Sequence, residues 1–198
     1  MVDEIVKRAM TKWPNAPALF GWLRLDRRGQ WYLRGERIER DILTGFIGRN
    51  YESDEHGRWY FQNGPQRGFV ELDYTPWILF SQPDGSLHTH TEQAVQSCEA
   101  AYLDETGNLI LVCEHGPGLL SESDLDWALE RFRTPQGEPP EEAALMAALE
   151  ALQSGEAAEL ALEYGGRIVE VEPIRAAEAP ERLGFVQRPE PLPEEERR

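Results

Sequence analysis

Apolar and polar residues alternate in short runs along most of this chain, the period-two pattern of half-buried β-strands. Phe20 to Leu25 and Gln30 to Arg34 read as a hairpin. Arg58 to Gln62, Arg67 to Leu72, Trp77 to Ser81 and Ser86 to His90 follow, and a second hairpin pairs Cys98 to Leu103 with Asn108 to Cys113. Strands at Glu159 to Tyr164 and Arg167 to Val171 flank Gly165-Gly166, a strong two-residue turn signal. The period lengthens in three places. Glu39 to Asn50 would form a helix with Ile42, Leu43, Phe46 and Ile47 inward, weakened by Gly45 and Gly48. Ser121-Glu122-Ser123-Asp124 has the form of a capping box, opening a helix that buries Leu125, Ala128, Leu129 and Phe132. Pro139-Pro140-Glu141-Glu142 opens another, with Leu145, Leu149 and Leu152 at helical spacing and Gly155 past its end. The expected class is α+β, mainly antiparallel sheets built from repeated hairpin units with three to five helices packed on them.

One turn recurs. Asp26-Arg27-Arg28-Gly29, Asp54-Glu55-His56-Gly57 and Asp104-Glu105-Thr106-Gly107 each lead into an apolar strand, and Pro83-Asp84-Gly85-Ser86 is a degenerate copy. Asp at the first position bonds nearby backbone N–H groups and Gly tolerates the exit geometry. Gly29, Gly57 and Gly85 are spaced evenly by 28 residues, which suggests a duplicated β unit.

The span 54 to 77, DEHGRWYFQNGPQRGFVELDYTPW, is rich in aromatic rings and arginine. A loop at Asn63 to Gln66 sets Gln62 opposite Arg67, Tyr60 opposite Phe69 and Arg58 opposite Glu71. One face then holds Trp59, Phe61, Val70 and Leu72, with Gly68 making room for Phe61. That is a core face. The other holds Arg58, Tyr60, Gln62, Arg67, Phe69 and Glu71, a half-polar surface for a second layer or a ligand. Arg58 with Glu71 reads as a cross-strand ion pair.

Charge changes this picture. The 198 residues carry a net charge of −16, yet residues 1 to 70 hold 12 Lys and Arg against 9 acids, and residues 71 to 198 hold 8 against 27. A molecule this acidic repels phosphate backbones, so nucleic acid is not an expected partner. No apolar run approaches the length of a membrane span, the start MVDEIVKRAM lacks a signal-peptide core, and two cysteines are too few for a disulfide scaffold. The expected compartment is the cytoplasm. Division is expected into an α+β unit over 1 to 80, a second over 81 to 188, and a disordered tail over 189 to 198.

An anion would be welcome only in the N-terminal third, where Arg34, Arg49, Arg58 and Arg67 are the candidate ligand-binding residues. Glu36, Glu52, Asp54 and Glu71 compete for them. His88, His90, Cys98, Cys113 and His115 are the candidates for a mixed metal site, but half-exposed polar strand residues are the expected reading and no metal is assigned. No nucleotide-binding fingerprint, nucleophile elbow or zinc-protease motif is present, and no cofactor or catalytic residue is indicated. A four-residue turn at Asp104 to Gly107 would pair Leu103 with Asn108 and set Cys98 opposite Cys113, as a redox pair or as two small thiols filling a core layer.

The segments KWPNAPALFGWLRLD, FIGRNYESDEHGRWYFQNGPQRGFVELDYTPW and LHTHTEQAV resemble an uncharacterised proteobacterial family of unknown function, over roughly residues 12 to 95. More distantly, G-x-W-Y, Arg34 to Ile38 and Val70 to Trp77 are similar to another bacterial family of unknown function. That resemblance implies a duplicated α+β core, a C-terminal part like pleckstrin-homology folds, and a ligand site between its parts, suggested for a nucleotide in signalling. It carries over no catalytic residues. Two functions are therefore expected: a small anion-sensing module, or an assembly subunit whose acidic C-terminal region docks a basic protein.

Overall fold

The structure, a computed structural model, describes residues 18–193 and 195. The signal-peptide reading at residues 1 to 10 and the start of the family segment at residue 12 lie outside these. The chain forms two compact units, Met1–Pro76 with Gly184–Arg198 and Trp77–Leu183.

The first unit is a six-stranded sheet. Strands β1 (Leu19–Leu25), β2 (Trp31–Leu33) and β3 (Glu36–Arg37) form an antiparallel meander, as do β4 (Tyr51–Ser53), β5 (Trp59–Asn63) and β6 (Gln66–Leu72). Helix α1 (Asp41–Arg49) links them. Strand β6 lies parallel to β1, giving the order β3-β2-β1-β6-β5-β4. Rings fill the core: Trp31 and Trp59 each pack on Tyr51, and Phe46 stands edge-on to Phe61.

The second unit repeats that order. Meanders β7 (Trp77–Ser81), β8 (Leu87–Thr89), β9 (Ala94–Val95) and β10 (Cys98–Leu103), β11 (Leu109–Cys113), β12 (Gly116–Leu120) join through parallel β7 and β12. Their order is β10-β11-β12-β7-β8-β9. Beyond β10 the sheet extends through β15 (Arg167–Pro173), β14 (Ala161–Tyr164) and β13 (Phe132–Arg133). Helices α2 (Leu125–Leu129), α3 (Glu142–Ser154) and α4 (Ala179–Leu183) complete the unit. Its largest fully buried side chains are aliphatic, among them Ile78, Leu79, Leu109, Ile110, Leu111 and Leu119.

Glycine sits at the parallel seam of each unit. A Cβ on Gly68 would lie 3.0 Å from Leu23 Cδ1, and one on Gly118 would lie 2.7 Å from Leu79 Cγ. Gly68 stands opposite Phe61 as expected, but the side chain that fills the room it leaves is Leu23.

The recurrent turn opens every meander. Asp26–Gln30, Asp54–Arg58, Gln82–Ser86 and Asp104–Asn108 each span five residues, the first N–H donating to the fifth carbonyl and the fourth N–H to the first. The fourth residues Gly29, Gly57, Gly85 and Gly107 have φ of 75°, 74°, 83° and 84°, the left-handed bulge that matches strand twist. In the three Asp copies one carboxylate oxygen accepts two backbone N–H groups. The other takes a side chain: Tyr32 Oη, Arg58 Nε or Asn108 Nδ2.

The β5–β6 register matches expectation from Tyr60↔Phe69 to Gln62↔Arg67. Other readings need correction. The five-residue turn pairs Leu103 with Leu109, not Asn108, and a bulge between Cys98 and Ala100 then restores Cys98↔Cys113. Ile42 is 90% exposed, and Leu43, Leu125 and Leu129 are exposed too; Ala128 and Phe132 are buried as expected, with Trp127 rather than the two leucines beside them. Both helices are too short to cover more than one narrow face. Strand β7 lies inside the second sheet, so the units part at residue 76 and not at 80.

Candidate arginine site

The second face of β5–β6 is not a half-polar surface. Tyr60, Gln62, Phe69 and Arg58 are all buried. Phe20 stacks on Phe69 with centroids 4.6 Å apart, and Tyr60 meets the same ring at 5.8 Å. Two guanidinium planes close this layer: Arg58 lies 4.4 Å over the Phe69 ring, and Arg67 lies 4.4 Å over Tyr60. Burial raises the Tyr60 hydroxyl pKa, and Arg67 opposes the rise. The Arg67 Nε donates to Gln62 Oε1 at 3.2 Å.

Arg58 does not pair with Glu71. The ladder ends before it, and its side chain, 5% exposed, instead holds Asp54 Oδ2 through Nε at 2.8 Å and Nη2 at 2.7 Å. Its outer edge grips Glu195 bidentately, Nη1 at 2.8 Å and Nη2 at 2.9 Å, and Nη1 donates to the Glu190 carbonyl. Residues 189–193 and 195, expected in a disordered tail, thus include a clamped segment. Val186 bridges Arg58, its N–H donating to the Gly57 carbonyl, and the Leu72 N–H donates to the Gln187 carbonyl. The Arg58 hydrogen bonds hold Glu195 below the usual carboxylate range, and the Arg67 charge adds to this. Glu195 in turn raises Arg58 further.

The other two candidate arginines stand elsewhere. Arg34, at φ 52° in the β2–β3 turn, stacks 3.6 Å over Trp22. Arg49 ends α1, its Nη1 3.3 Å from where a Gly45 Cβ would stand. The structure therefore joins Arg58 with Arg67 and leaves Arg34 on the opposite side of the strand order.

The metal candidates scatter over different roles. The His90 ring accepts from the Ile78 N–H at Nδ1, and burial lowers its pKa to about 3. His115 Nε2 lies 2.9 Å from the Ala94 carbonyl. Cys98 and Cys113 are buried free thiols donating to the Ala100 and Gly116 carbonyls. Burial pushes Cys98 up to about 12 and raises Cys113 as well. Among the described residues no three His, Cys, Asp or Glu are arranged to hold a metal, and no helix is long and apolar enough to cross a membrane.

This is an α+β, strand-rich architecture of two mixed, largely antiparallel sheets with four described helices. The chain belongs to the DUF2944 family, whose model carries the description "Protein of unknown function (DUF2946)" and matches residues 2–190. Among solved structures, a DUF1285 family protein from Silicibacter pomeroyi DSS-3 is similar at 13% identity and a TM-score of 0.53, over 80% of this chain and 85% of that one. A DUF1285 family protein from Shewanella baltica OS155 matches at 12% identity and a TM-score of 0.41, over 56% and 88%. The first likeness is one of fold alone. No curated protein matches.

Proposed function

We propose that the protein is an anion-sensing module of the bacterial cytoplasm, acting in signalling, whose ligand presents a carboxylate or phosphate to Arg58 with Arg67 beside it. The observation that carries this reading is the bidentate grip of Arg58 on Glu195. The guanidinium edge already has the geometry that planar oxyanions require, and the occupant is a tethered carboxylate that a ligand would displace. The recurrence of one strand order in both units supports an origin by duplication.

Thermal shift against citrate, inorganic phosphate and AMP tests the site. Glu195→Gln weakens the internal competitor, so one of these probes should raise Tm more in that variant than in the parent, and Arg58→Lys should abolish the response. Equal responses in all three proteins would remove the reading. A second reading, docking of a basic protein, is favoured by the 21 acidic residues against five arginines in Trp77–Leu183. Its mark would be a basic partner whose binding is lost as salt rises and is unaffected by Arg58→Lys.

A further inference from the structure

Two further copies of the five-residue turn lie in the second unit, at Thr89–Gln93 and Thr134–Glu138, with the same pair of backbone hydrogen bonds. Five of the six copies place glycine at the left-handed position: 29, 57, 85, 107 and 137. The sixth places Glu92 there, at φ 65°. A side chain in that conformation is strained, and glycine would relieve it. Nothing in the turn's hydrogen bonding requires Glu92, since the neighbouring threonine hydroxyls and Gln93 bond among themselves.

What Glu92 does is line a cavity of about 500 Å³ with Phe80, Gln82, His88, Thr89 and His90. Phe80 and His88 face each other across β7–β8, so ring and imidazole share one wall. The His90 ring is a neutral wall, its Nδ1 accepting from the Ile78 N–H. No arginine or lysine lines the cavity among the described residues, and Glu92 is its one carboxylate. The surrounding unit is strongly acidic, which concentrates cations and repels anions.

We propose that this cavity binds an alkylammonium group, with Glu92 as its counter-ion and the Phe80 ring packing against its methylene chain. The carboxylate supplies the charge, the Gln82 side chain lines the same cavity, and the Phe80 ring covers the apolar chain while the ammonium meets Glu92. Such a group arrives either on a free diamine or on the side chain of a protein lysine.

Calorimetric titration at 0.15 M salt with cadaverine, and separately with Nα-acetyl-lysine methylamide, tests the site. The full chain should bind one equivalent saturably, and Glu92→Gln should weaken it by about tenfold, the range of one charged hydrogen bond. The exposed Glu142→Gln, on α3, should leave it unchanged. Glu92→Gly should lose binding while raising Tm by about 2–4 °C, because it restores the residue the other turns use. Tighter binding of cadaverine assigns the site to free amines, and tighter binding of the lysine amide assigns it to protein lysine; both support an ammonium site. No saturable binding, or equal weakening by Glu92→Gln and Glu142→Gln, would overturn it. A Glu92→Gly protein that binds as the parent does would equally end the proposal.

Discussion

The first unit carries 15 bases and 15 acids, while Trp77–Leu183 carries five bases and 21 acids. Both nevertheless thread six meander strands in the same order, through the same opening turns. Strand order follows from where turns fall and which residues alternate inward; charge is free to diverge on top of it. The units also fill their interiors differently. The first stacks aromatic rings and lays arginines across them, whereas the second packs aliphatic side chains with little charge inside. Equivalent positions show the contrast most directly. Arg58 and Asn108 both close an Asp turn from the fifth position, but only Arg58 carries a buried charge that also clamps a distant segment.

Truncation at these two positions should separate the units by the widest margin. Arg58→Ala strips the counter-ion from buried Asp54 and should cost about 3–5 kcal/mol, against about 1 kcal/mol for Asn108→Ala. Urea denaturation measures both, and equal losses would break the comparison. Gly57→Ala comes next. Its Cβ would lie 2.5 Å from the Gly184 carbonyl oxygen, where backbone must move, and φ is positive. Gly107→Ala would meet only the flexible end of Gln153 at 2.7 Å. Losses of about 3 and about 1–2 kcal/mol are expected, the second being the left-handed penalty alone.

Acid should distinguish the units as well. The folded His90 resists protonation down to about pH 3, while the unfolded chain takes that proton near 6.5. The unfolded state thus binds more protons in this window, and stability conferred by His90 is full above pH 6.5 and lost as pH falls toward 3. Glu195 has its folded pKa lowered from 4.5, so its contribution to the first unit is lost only below that value. Hydrogen exchange between pH 6.5 and 5 should accelerate in the second unit first, and His90→Asn should flatten that dependence. The smallest effect concerns thiols. Cys98, raised to about 12, should resist a thiol-titrating disulfide reagent at pH 8 until urea is added. Rapid native labelling would show the β10–β11 layer to be open.

The turns were legible because Asp and Gly at fixed offsets have a local cause, and Gly165-Gly166 likewise marks its hairpin, with φ of 59° and 74°. The parallel seams β1·β6 and β7·β12 were not, since nothing in a strand's own residues names a partner so far along the chain. The cysteine pair shows how a correct contact can rest on two offsets. The turn takes one residue more than expected, the bulge at Glu99 absorbs one, and the pairing returns. At the site, the arginine-aromatic span was visible, and so was the register that sets Tyr60 against Phe69 and Gln62 against Arg67; the pairing of Arg58 was not. The occupant was not: Glu190 and Glu195 lie 132 and 137 positions beyond Arg58, in a segment whose composition alone reads as unfolded.

The path of the chain orders events during synthesis. Domains fold as they emerge, N-terminal first, but the first unit here closes with residues from beyond Leu183. Its sheet and the local Asp54–Arg58 pair can assemble while the ribosome is still making the second unit, yet the outer edge of Arg58 must wait for Glu190 and Glu195. Until then a nascent chain keeps a guanidinium edge uncovered beside Phe69. Docking of the segment holding Glu190 and Glu195 therefore follows synthesis of the second unit, and a chain cut before residue 190 would leave that edge open.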